Sequence, residues 1–159
     1  MHVRVVDCEV SGTSGHSAEG IGPLGSDIWI VNCRVYKSGS TGILVYNGRA
    51  GTVARDIFII GNSVGDSSQE VAGNAAIAVN PSSNEIQGIV IANNIAWDDQ
   101  ASPTSEVMLA LTNGGRGGVI DRLSVTGNVS INQRNQAGIS NSMPAGDLTN
   151  SYFGLSSEF

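Results

Sequence analysis

Five stretches decide how this chain folds: HVRVVDCEV from His2, DIWIVNCRV from Asp27, DIFIIGNSV from Asp56, GIVIANNIA from Gly88 and RLSVTGNVS from Arg122. Their second residues are Val3, Ile28, Ile57, Ile89 and Leu123, separated by 25, 29, 32 and 34 residues. The period drifts but the internal pattern does not, and self-similarity of this kind marks a repeat architecture. Two residues after each start stands another apolar side chain: Val5, Ile30, Ile59, Ile91 and Val125. Such alternation is the pattern of a β-strand. Five residues on stand Cys8, Cys33, Asn62, Asn94 and Asn128, and seven on stand Val10, Val35, Val64, Ala96 and Ser130. The alternation therefore resumes after slipping by one residue. A slip turns every later side chain to the other face unless the chain bends there. Two short strands thus meet at a corner near Asp7, Asn32, Gly61, Asn93 and Gly127. Glycine and asparagine suit a corner because they tolerate φ > 0.

Each repeat then runs through a loop into a third apolar strand: IGPL near Ile21, GILVY near Ile43, AIAVN near Ile77, VMLAL near Met108 and AGIS near Ile139. Three short strands in each repeat of about 30 residues predict an all-β chain, a parallel β-helix of about five coils with three short parallel sheets. Equivalent residues then stack at ~4.8 Å, and five coils make a rod about 24 Å long. A β-sandwich also has strands every ~8–12 residues, but it does not predict the same residue types at five corners. The coils occupy residues 1–141, and 142–159 form a C-terminal tail or cap. Within that tail, DLTNSYFGLSSEF from Asp147 is the one stretch that reads as a helix or end cap.

Composition narrows the function classes. Glycine is 21 of 159 residues, roughly twice the usual share, in keeping with many tight turns. Lys+Arg 8 against Asp+Glu 14 gives a net charge of −6, and Lys37 is the single lysine. Phosphate contacts need clustered cations, so nucleic acid is not an expected partner. No long unbroken apolar run occurs, so no membrane span is expected. The first residues alternate instead of forming an apolar run, so no signal peptide is read. Cys8 and Cys33 fall in one column of adjacent coils. Stacked strands hold Cβ atoms near 4.8 Å, wider than the ~3.5–4.5 Å of a disulfide. Both are therefore expected to be buried free thiols.

The I-x-I-x-x-N corner and the Gly-Ile opening of the third strand give the chain a family likeness. It resembles the right-handed parallel β-helix superfamily typified by pectate lyases, over roughly residues 2–141. An inward asparagine ladder at one corner marks that superfamily. Asn62, Asn94 and Asn128 match it, and Cys8 and Cys33 replace it in the first two coils. A stacked amide column also makes sense on its own, since each amide bonds its neighbours and satisfies bent backbone. The resemblance implies a right-handed coil and an extracellular or virion-surface setting. It implies little about activity, because the superfamily holds lyases, hydrolases, epimerases, phage tailspikes and adhesins. Its enzymes are longer and cap the first coil with a helix. Here the pattern begins at the second residue. The chain therefore reads as a fragment of a longer β-helix, or as a short solenoid that forms a homo-oligomer through its N-terminal coil.

Candidate chemistry lies in the loops and on the outer faces. The loops after each second strand carry His16 and Glu19, Lys37, Asp66 and Glu70, then Asp98, Asp99 and Glu106, then Arg134. Asp66, Asp98 and Asp99 on adjacent coils are candidate Ca²⁺ ligands, since that ion takes several oxygens from loops. The other reading is that no cofactor is held and these are solvated charges, because no spaced Asp-x-Asp run is present. Of the motifs that the related polygalacturonase-like hydrolases use, only Asp98-Asp99 and half of a Gly-His-Gly at Gly15-His16-Ser17 are found, in the wrong order. No hydrolase mechanism is carried over. The opposite flank carries Arg49, Arg55, Arg116 and Arg122, and NGGRGG from Asn113 reads as a glycine-rich crossing. Outward positions of the first strand are Arg4, Trp29, Phe58, Val90 and Ser124. Trp29 and Phe58 are candidate sugar-stacking residues on an exposed stripe. The other reading has a partner chain, or Tyr152, Phe153, Leu155 and Phe159 of the tail, cover that stripe.

Two function classes follow. The chain is a fragment of a carbohydrate-active protein that binds or cleaves a polysaccharide, of lyase, hydrolase or tailspike type. Alternatively it is a purely structural solenoid for adhesion or assembly. No catalytic residue is assigned, and the isolated chain is not expected to be an enzyme. A groove beside the third sheet, lined by paired carboxylates, arginine and aromatics, would favour the first class. A smooth surface would favour the second.

Overall fold

The computed structural model describes residues 2–135 and 138–154. They form a parallel β-solenoid with no helix. An opening partial turn has β1 (Val3–Val6) and β2 (Glu9–Ser11), and Ile21 joins the next coil by a single bridge. The next turn is β3 (Ile28–Val31), β4 (Arg34–Tyr36) and β5 (Ile43–Tyr46). It is followed by β6 (Val53–Ile60), β7 (Ser63–Gly65) and β8 (Ile77–Asn80). Then come β9 (Glu85–Ala92), β10 (Ile95–Trp97) and β11 (Leu109–Leu111). The last full turn is β12 (Val119–Thr126), β13 (Val129–Ile131) and β14 (Ile139–Asn141). Four turns therefore carry all three strands, one fewer than the expected five coils. The short IGPL run explains the difference, because Pro23 lacks the N–H a further ladder bond would need.

Three parallel sheets run along the axis. The first orders its strands β1-β3-β6-β9-β12, and β12 then pairs both β15 (Leu148–Thr149) and β16 (Tyr152–Gly154). The second is β13-β10-β7-β4-β2 and the third β14-β11-β8-β5. Val3, Ile28, Ile57, Ile89 and Leu123 stand opposite one another across the first sheet. Val10, Val35, Val64, Ala96 and Ser130 do so across the second. The repeat alignment is thus the strand register. The described part of the tail contains two short strands and no helix, and Leu148 and Phe153 pack onto the core as one more rung of the first sheet. Leu155 and Phe159 lie outside the described residues.

The corner between the first two sheets is left-handed in every coil: Asp7 (φ 53°), Asn32 (54°), Gly61 (68°), Asn93 (56°) and Gly127 (62°). A second left-handed column, Asp27, Asp56, Gly88 and Arg122, stands one residue before each apolar start. It kinks the long strands β6, β9 and β12, so each eight-residue strand is two straight pieces. Behind the first corner the Asn62 amide donates to Asn94 Oδ1, and Asn94 donates to Asn128 Oδ1, both at 2.9 Å. Each amide also donates inward to a carbonyl of the preceding coil, Asn62 to Ile30 O and Asn94 to Ile59 O. Cys33 continues the column with Sγ–H donating to Val5 O and Val31 O. It is buried, and burial pushes its thiol pKa up. Cys8, expected to be buried as well, is exposed. It sits on the opening rung, with a neighbouring coil on one side among the described residues.

Candidate functional site

The loop carboxylates turn out to organise the loops. Asp98 is buried, and its Oδ2 accepts the backbone N–H groups of Thr104 and Ser105 at 2.9 and 3.0 Å. Its Oδ1 accepts from Gln100 N and Nε2. The 98–105 loop is therefore folded around one side chain. Asp66, also buried, accepts Asp99 N at 3.0 Å and ties the loops of adjacent coils together. Burial pushes the Asp66 carboxyl pKa up, and the nearby charges of Asp99 and Asp98 push it the same way against the lowering by the Asp99 N–H. The geometry does bring Asp66, Asp98 and Asp99 near one another, as the sequence suggested. Asp66 Oδ1 and both Asp98 oxygens are turned to donors of the loops, however. Among the described residues no group of three or more His, Cys, Asp or Glu side chains is arranged to hold a metal ion.

The outer face of the third sheet carries Leu44, Ala78 and Ala110, packed under Ala75 and Val107 from the loops. Glu70 is spent on Gly15 N at 2.7 Å, and Glu106 pairs with Arg134 at 3.6 Å. On the opposite flank, Arg122 meets Asp121 and Gln87, and Arg116 reaches Ser82. In the glycine-rich crossing, the N–H groups of Gly114, Gly115, Arg116 and Gly118 all find acceptors within the fold. It offers no ready anion nest.

The aromatic stripe of the first sheet exists. Trp29 and Phe58 are opposite residues on adjacent strands, and their rings stack at 4.2 Å between centroids with 24° between planes. Arg4 lies 6.0 Å over the indole of Trp29. One face of Trp29 is therefore covered by Phe58, and a guanidinium sits over the ring. Tyr152 extends the stripe by one rung instead of folding over it, since it pairs with Ser124 in register.

A second aromatic feature was not anticipated. Tyr36, Gly65, Trp97 and Ile131 form one outward column of the second sheet. The indole of Trp97 lies across Gly65, so a Cβ there would stand 2.1 Å from Trp97 Cε2. Its Nε1–H donates to Ser63 Oγ at 2.8 Å, which fixes the ring. Ile95 and Ile131, both exposed, flank it. Tyr36 lies under Arg34 at 4.7 Å and donates its hydroxyl to Glu9 at 2.9 Å. The signal for this column was available: each of these residues stands eight positions after the apolar start of its own repeat.

Comparison of the chain with family models, with curated proteins and with solved structures returned no match.

Proposed function

We propose that the chain binds a polysaccharide without cleaving it, along the outer face of the second sheet. The observation that carries the reading is the seat of Trp97 on Gly65, where the half-buried indole lies across the second sheet. A sugar stacks on an aromatic face, and its hydroxyls need polar neighbours. Ser63, Arg34 and Glu9 supply them in the adjoining column. Tyr36 and Trp97 stand two rungs apart, about 9.6 Å along the axis, roughly the length of a disaccharide. A flat, equatorially linked glycan lying along the solenoid would meet both rings. Trp29 and Phe58 serve this role less well, because they spend their faces on each other. Asp66 and Asp98 are committed to backbone donors, which leaves them poorly placed to act as a catalytic pair. The test is titration with soluble β-linked oligosaccharides of increasing length, followed by Trp fluorescence and calorimetry. Trp97→Ala is expected to weaken binding about tenfold, the loss of one stacking contact. Equal binding by the Trp97→Ala variant, or loss only in Trp29→Ala, would rule the second sheet out.

A structural role in assembly is favoured by one separate observation. Val3, Val5 and Val10 lie on core columns yet are only half-buried, and Val6 is 43% exposed. The opening rung is a surface suited to a second copy.

A further inference from the structure

Where the third sheet turns back into the first, between β5 and β6, the chain leaves a cleft of about 560 Å³. That volume is in the range of small-molecule sites. Leu24, the ring of Tyr46, Val53 and Ala54 form its walls, and the backbone of Gly48 and Arg49 forms one side. Leu24 is 64% exposed, a large apolar side chain presented to the cleft with no core to join. Asn47 and Thr52 of the lining are spent within the fold. Asn47 Nδ2 donates to Thr52 O and Glu85 O, and Thr52 Oγ1 donates to Asn47 Oδ1. Besides the Tyr46 hydroxyl, two kinds of donor are left. Among the described residues, the Arg49 guanidinium has no ion-pair or hydrogen-bond partner. The backbone N–H groups of Gly48, Arg49 and Ala50 likewise meet no acceptor, whereas the next one, of Gly51, donates to Asn84 Oδ1.

We propose that this cleft binds a small organic carboxylate with an aromatic or branched aliphatic body. The carboxylate lies against Arg49 and the loop N–H groups, and the body against Leu24, Tyr46 and Val53. A guanidinium fork matches a carboxylate through two parallel hydrogen bonds. The apolar walls select the rest of the ligand, because hydroxyls facing Leu24, Val53 and Ala54 would lose water without gaining partners. The attraction is local: the chain carries a net charge of −6 and does not draw anions in general. The site is separate from Trp97, and the inference does not rest on the polysaccharide reading.

Benzoate is a suitable probe, with benzyl alcohol as its neutral counterpart, titrated into the full chain and followed by amide proton–nitrogen NMR. Benzoate is expected to shift the Gly48, Arg49 and Ala50 amides to saturation, and benzyl alcohol to bind at least about tenfold more weakly. Arg49→Gln is expected to cost benzoate about tenfold in affinity. Because Arg49 is an exposed loop residue without a partner, the fold survives that change. Trp97→Ala is expected to leave benzoate binding unchanged. Equal affinity for the two probes, undiminished binding by Arg49→Gln, or shifts absent from residues 48–50 would overturn the proposal.

Discussion

Asn94 shows how much one side chain does in a stacked fold. Its Oδ1 accepts both the backbone N–H and the side-chain amide of Asn62, and its Nδ2 donates to Ile59 O and Asn128 Oδ1. Asn94→Ala strands these buried groups, and each lost partner exposes the full cost of an unmet buried hydrogen bond. A loss of about 1–3 kcal/mol is expected, read from urea unfolding. Asp66 works in the opposite sense. Its pKa is raised in the folded chain, chiefly by burial and then by its carboxylate neighbours. The folded state therefore holds the proton more tightly than the unfolded chain. That contribution is full below the ordinary aspartate pKa and is lost as pH rises through the raised value. At about pH 7 Asp66 is thus a net electrostatic cost. Asp66→Asn keeps an oxygen for Asp99 N–H and removes the charge. It is expected to raise the melting temperature at neutral pH, with the gain shrinking as the solution is acidified. Thermal melts of both proteins across that range check the sign.

At the scale of an element, the second sheet joins fold and site. β7 ends in Gly65 because the indole of Trp97 from β10 occupies the place of a side chain. Gly65→Ala forces the ring off its seat and breaks its bond to Ser63. A destabilisation of about 1–3 kcal/mol is expected from the overpacking, together with a red-shifted Trp emission and weaker glycan binding. An unshifted spectrum would mean that the ring does not need Gly65. The corners were plain in the sequence, because a one-residue slip in an alternating pattern permits few other geometries. The kinks at Asp56 and Arg122 were not. Aspartate tolerates left-handed φ better than most residues, but arginine does not, so the column carried no uniform signal.

Across the whole molecule, the first and second sheets end on β1 and β2, whose outer backbone groups face no further strand among the described residues. Half-buried valines on that rung add an apolar end to the open ladder. The isolated chain is expected to self-associate there, most simply as a two-fold dimer. Light scattering over a range of concentrations should show a mass that rises with concentration. Val6→Lys, which places a charge beside that edge, should reverse it. A monomer at every concentration would show that the rung is shielded in another way.

What the sequence determined by itself is the fold. Period-2 alternation, a fixed slip and a repeated corner residue set the strands, the register and the asparagine column, because stacking makes each coil answer to the one beside it. Carboxylates grouped in the loops were equally visible as letters: Asp66, Asp98 and Asp99. Only the tertiary structure decided where the oxygens of Asp66 and Asp98 point, onto loop donors, because that direction depends on the packing around each side chain. It also decided that Trp29 and Phe58 cover each other, that Trp97 lies across Gly65, and that Leu24 and Arg49 share a cleft. Each depends on side-chain packing between coils, and the order of residues along the chain does not record the direction in which a ring leans.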